Sequence, residues 1–180
     1  QQIQAIYDST NEKVVLLYRD NTSSSKGTVI VGDISGNTLT LGTHVQNITD
    51  ASGGMEYSSF CYCPNTDNYA VIYNNSSGNK GNCRIGKYSG TNSSSWPNQP
   101  TQFLNAQARE IGAWYDTTAD KLMIAYNDGG DSNHSKVTAG TIASDTLTIT
   151  NNNTEFSGDG TDKTLEGCHD STTGKNVLVF

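Results

Sequence analysis

The chain has 180 residues, a formal net charge of −7 and a pI near 4.7, with Asn, Ser and Thr making up 60 positions and charged residues only 16%. That length suits one domain with a sizeable core. The acidic balance excludes a phosphate-backbone binder, which needs a basic stripe, and no apolar run reaches the roughly 18 residues of a membrane span.

In chain order, the first unit reads as four strands at roughly 2–7, 13–19, 28–34 and 38–43. The turn "DSTNEK" joins the first pair and "SGN" the second. Asp8 at the head of its turn is placed to accept backbone N–H bonds, as are Asp116 and Asp170 in their turns, with Cys63 in their place in the second unit. The parts then recur. "YDSTNEKVVLLYRD" (7–20) returns as "YDTTADKLMIAYND" (115–128), and more weakly from Tyr62 and from His169, at spacings of 55, 53 and 54 residues. A second block, "KGTVIVGDISG" (26–36), matches "KGNCRIGKYSG" (80–90) and, more loosely, "SKVTAGTIASD" (135–145), with Gly32, Gly86 and Gly140 each 54 apart. Two independent blocks sharing one period indicate duplication. Helical periodicity is absent, and 104–114 reads as strand by its match to "QQIQAIY".

These features predict an all-β, β-propeller-like chain: four-stranded antiparallel blades repeating every 53–55 residues, three blades plus half of a fourth, 14 strands in all. The units run about 1–55, 56–108, 109–162 and a partial 163–180 within a single repeat domain. A stacked solenoid or a sandwich array is the alternative. The aromatics Tyr18, Tyr73, Tyr126 and Phe180 are expected at equivalent positions, and Val15, Leu17, Val71, Trp114, Ile124 and Leu178 in the packing between blades. A turn of the "YDSTNEK" kind followed by "VVLLYRD" and "GTVIVGDISG" resembles the Tyr-Asp-x-Thr propeller-like repeats of bacterial secreted proteins and of phage tail or receptor-binding fibres.

An arc of this kind leaves apolar edges open, so the chain is expected to contact copies of itself, or the remainder of a longer chain, through 1–7 and 175–180. No nucleic-acid partner and no membrane insertion is expected. The hydroxyl- and amide-rich composition suits an extracellular, virion or cell-surface protein.

Candidate chemistry is sparse. No catalytic residue is assigned: G-x-S-x-G, P-loop and H-E-x-x-H patterns are absent, and His44, His134 and His169 fall in different repeat columns. No metal site and no cofactor is predicted, although "DGGDSNH" (128–134) and "GDGTDK" (158–163) could supply oxygens to Ca²⁺. Cys63 and Cys83 could form a disulfide within the second unit, whereas Cys61 and Cys168, in the column of Ile6 and Trp114, read as buried apolar thiols. Trp96, in "NSSSWPNQP", is either a sugar-stacking platform or a lid folded over the blade edge. N-x-S/T sequons occur at Asn21, Asn47, Asn74, Asn75, Asn92, Asn133 and Asn152, and would carry glycans in a host that glycosylates secreted proteins. The expected function is a non-catalytic extracellular recognition, adhesion or surface-structure module with carbohydrate as ligand. The alternatives are a structural filament subunit, or a propeller hydrolase acting on glycans.

Overall fold

The computed structural model describes residues 3–49, 53–150, 153–158 and 164–180. It is all-β: among the described residues the only helical turn is the 3₁₀ segment Asn21–Ser23. No helix there is long and apolar enough to cross a membrane.

Four antiparallel sheets follow one another along the chain. The first is β1 (Ile3–Asp8), β2 (Lys13–Asp20), β3 (Lys26–Ser35) and β4 (Thr38–Val45) in sequential order. The second holds β5 (Met55–Cys63), β6 (Asn68–Asn75), β7 (Lys80–Gly90), β8 (Ser93–Ser95) and β9 (Thr101–Leu104). The third holds β10 (Ala108–Asp116), β11 (Lys121–Asp128), β12 (His134–Ala143), β13 (Thr146–Ile149) and β14 (Thr154–Ser157). The fourth is the hairpin of β15 (Glu166–Asp170) and β16 (Lys175–Val179). The described strands number sixteen rather than 14 because the fourth strand is split in the middle sheets. There β8 and β9 pair with opposite ends of β7, and β13 and β14 with opposite ends of β12. In the first sheet β4 crosses the same point intact, at a bulge between Ile30 and Gly32.

The turns repeat with the strands. In each β1–β2-type turn the residue before the second strand has left-handed backbone: Glu12, Asp67, Asp120 and, as the one glycine, Gly174. The Asp at the head of the turn does what its side chain predicts. Asp8 Oδ1 accepts from the amides of Thr10 and Asn11, Asp116 Oδ1 from Thr118 and Ala119, and Asp170 Oδ1 from Thr172 and Thr173.

Alternation along the second strands then decides the packing. Val15 and Leu17 face forward, onto Tyr69, Val71 and Tyr73 of the next sheet. Ala70 and Ile72 face forward onto Leu122, Ile124 and Tyr126. Trp114 and Ala125 pack with Leu165 and the half-buried Leu178. A middle sheet is therefore covered on both faces, and β6 is buried along all of its 8 residues. Tyr73 and Tyr126 are fully buried at matching positions, Tyr18 is half-buried, and Phe180 lies more than half exposed against Phe156.

The glycine column has a direct cause. A Cβ on Gly32 would meet Leu39 and Leu41, on Gly140 it would meet Leu147, and on Gly86 the ring of Trp96. Each third strand thus leaves room for a large fourth-strand side chain lying across it.

Candidate functional site

The first strands of the four sheets, β1, β5, β10 and β15, lie side by side in that order. A cavity of about 530 Å³ opens between them and is lined by equivalent residues of all four units. Tyr7, Tyr62, Tyr115 and His169 form one column of its wall, and Ile6, Cys61, Trp114 and Cys168 the other. The rings are held by their neighbours. Tyr62 Oη shares a 2.6 Å hydrogen bond with Thr10 Oγ1 and donates to Asp67 Oδ1 at 3.0 Å, Tyr115 bonds Asp120, and Trp114 Nε1 donates to Asn176 Oδ1 at 2.8 Å. Tyr7 alone is open, at 57% exposure. Burial pushes the Tyr62 and Tyr115 hydroxyls well above their ordinary values, so both stay neutral donors.

Two carboxylates next to this wall are structural. Asp8 Oδ2 accepts Tyr69 Oη at 2.5 Å across the first interface, and Asp116 Oδ2 accepts Asn176 Nδ2 at 2.7 Å across the third. At the second interface Cys63 replaces the Asp, and Leu122 replaces the donor. Burial pushes the Asp8 carboxyl up, but hydrogen bonds from Tyr69 and Asn11 more than offset it and hold it below the usual range. Asp116 is likewise pushed up by burial and brought below the usual range by Ala119, Asn176 and Thr118. A carboxylate depressed on folding stabilises the fold above its unfolded pKa of about 4 and ceases to do so as pH falls through its folded value. Urea unfolding at a series of pH values should therefore show stability level above about pH 5 and falling below about pH 4. Asp8→Asn combined with Asp116→Asn should flatten that fall; an unchanged acid limb would show that these carboxylates do not carry it.

His169 comes close to Asp116 (Nδ1 to Oδ1 3.4 Å) and to Thr118 (Nε2 to Oγ1 3.1 Å), which has the outline of a Thr–His–Asp relay. Tyr62 makes the same contact to Thr10 two interfaces earlier, with no histidine. The contact is therefore a repeated inter-sheet link.

The remaining sequence candidates lie elsewhere. Trp96 is buried, its ring on Gly86 and its Nε1 bonded to Ser94 Oγ at 3.0 Å. It is the lid of its sheet edge, and the covered ring offers no stacking face. Arg84 secures that lid by donating to the carbonyls of Trp96, Asn98 and Ile48. All four cysteines are free thiols. Cys63 and Cys83 lie on β5 and β7, with β6 between them. Strands two apart are separated by about 9–10 Å, beyond the roughly 7 Å that a disulfide spans. Cys61 is buried as expected, but Cys168 is exposed, because no described residue packs on its side of β15–β16.

Among the sequons, Asn21 and Asn47 are exposed, while Asn92 and Asn133 are half-buried. Asn92 Nδ2 is committed to Asp33 at 2.6 Å. Asn74 and Asn75 are buried at the end of β6 and so cannot carry a glycan in the folded chain. Asn152 lies outside the described residues, as do positions 159–163 of the second calcium candidate. In the first, Asp131 and His134 join Glu155 with ligand atoms within 4.8 Å of one another, a group that could hold a cation among the described residues. Lys136 already bridges Asp131 (2.6 Å) and Asp128 (3.0 Å), so an ion there would compete with an ammonium, and the imidazole suits a transition metal better than Ca²⁺.

Trp114, expected in the packing between blades, and the Tyr7 column, marked in the sequence only by its repeat, line one cavity that the sequence did not reveal. Their shared period was the available signal. No protein-family model matches the chain, and no curated protein matches it.

Proposed function

We propose that the chain is a β-propeller-like, non-catalytic recognition or adhesion module of an extracellular, cell or virion surface, and that it takes carbohydrate in the cavity between its first strands. The observation that carries this reading is the convergence of one ring from each unit, Tyr7, Tyr62, Tyr115 and His169, on a single cavity beside Trp114. The exposed Tyr7 ring offers a flat face to the C–H face of a sugar, while the more covered rings shape the wall behind it, and the hydroxyls of Tyr7, Thr117 and Ser171 at the same wall supply hydrogen bonds. The propeller-like arrangement is supported by the stacking of successive sheets and by the side-by-side first strands. A non-catalytic role is supported by Asp8 and Asp116, both engaged by their own turns and by the next sheet.

Screening the purified chain on a glycan array tests the reading. Binding to a defined glycan class, weakened at least about ten-fold by Tyr7→Ala, is expected. No binding to any glycan would contradict it. Turnover abolished by a single carboxylate substitution would favour a glycan hydrolase. The structural-filament reading is favoured by a different observation, two apolar faces at opposite ends of the stack that no described residue covers.

A further inference from the structure

The two uncovered faces are the two halves of the interface that already joins the sheets. On the first sheet, Ile3, Tyr7, Ile34, Leu39 and Leu41 share one face, pointing away from the second sheet. Tyr7, Ile34 and Leu39 are 57%, 60% and 47% exposed, whereas their equivalents in the third sheet, Tyr115, Ile142 and Leu147, are 7%, 5% and 2% exposed. What covers those equivalents is the forward face of the sheet before them. At the other end, Val177 and Val179 of the hairpin occupy the forward columns of Val15 and Leu17, yet stand 48% and 64% exposed around a shallow apolar pocket with Cys168.

We infer that the hairpin β15–β16 of one copy docks on the β1–β2 half of the first sheet of a second copy, head to tail, in the register of the internal interfaces. This rests on the assembly side of the reading above. The internal contacts give the register. Tyr62 reaches back to Thr10 and His169 reaches back to Thr118, so Tyr7 of the second copy reaches Thr172 of the first. The column that faces the turn aspartate is also compatible. Asp116 relies on Asn176 for its second oxygen, but Asp170 satisfies its own, with Thr173 Oγ1 donating to Oδ2 at 2.7 Å. The second copy can therefore present Val14 there without leaving an acceptor unpaired. Docking also sets a second copy of β1 beside β15, which extends the wall of the cavity by one more Tyr7. Because the two surfaces differ, the contact is heterologous, and it closes a ring or grows a filament according to the angle between copies.

Two single-cysteine probes test the pairing in a Cys168→Ser background, where the other three thiols are buried. Tyr7→Cys and Thr172→Cys chains are mixed and treated with a short bis-maleimide. Cross-linking of the mixture, with little from either variant alone, is expected. Cross-linking of Tyr7→Cys to itself would place the first sheets back to back and overturn the inference, as would no cross-linking in any combination. Light scattering on the unmodified chain gives the second readout. Val179→Lys should raise the dissociation constant at least about ten-fold by burying an unpaired ammonium. Leu39→Lys, beyond the reach of the hairpin, should change it less than about three-fold. A strictly monomeric chain, or the reverse order of the two effects, would contradict the docking. Neither measurement involves a glycan, so failure here leaves the array result standing.

Discussion

Truncating Leu17 to Ala is expected to lower the free energy of unfolding by about 2–5 kcal/mol, and truncating Val179 to Ala in the monomer by less than about 1 kcal/mol. The two residues hold the same column of the repeat, one position before Tyr18 and Phe180. A scale based on residue type alone would rank them close together. Their burial separates them: Leu17 is fully enclosed against Tyr69, Val71 and Tyr73, and Val179 is 64% exposed. Removing buried methyl groups costs the transfer free energy and leaves a cavity in a close-packed wall, while an exposed valine has little of either to lose. Urea unfolding at low protein concentration, where copies do not associate, measures both. Similar losses for the two variants would show that the sheets do not stack as described.

The second large effect is expected at Gly86. A Cβ there would stand 2.5 Å from the ring of Trp96, inside any permitted contact. The indole cannot retreat easily, because Arg84 holds its backbone carbonyl and Ser94 its Nε1. Gly86→Val should therefore cost about 1–3 kcal/mol or more through overpacking, and should red-shift the Trp96 emission as the lid lifts into water. A loss below about 0.5 kcal/mol with unchanged emission would mean that the ring is not seated on the glycine.

These two sites also show what could be read from the sequence and what could not. The glycine column was visible at its 54-residue period, but its cause was not, because the clash is with a fourth-strand side chain whose register only the fold supplies. Trp96 looked like a loop residue because Ser, Asn and Pro surround it. Its place opposite Gly86, where Leu41 stands opposite Gly32, makes it the same lid in a polar disguise. The turn aspartates were legible because an Asp accepting nearby amides is a local interaction. Their second partners were not, since Tyr69 and Asn176 come from the next sheet. A signal for them was present in the column itself: a donor follows Asp8 and Asp116, and Leu122 follows Cys63. Asn74 and Asn75 carry the sequon pattern, yet β6 runs to Asn75 and buries both. Sequon spacing carries no information on burial.

Glycan binding in the cavity between the first strands can be measured directly. Trp114 lies in its wall and Trp96 does not, so a Trp96→Phe chain reports from the cavity wall alone. Titrating that chain with a glycan selected on the array should give a saturable change in Trp114 emission, with a midpoint matching the affinity measured independently. A glycan that binds with that affinity and leaves the Trp114 emission unchanged would place recognition outside the cavity and contradict the account.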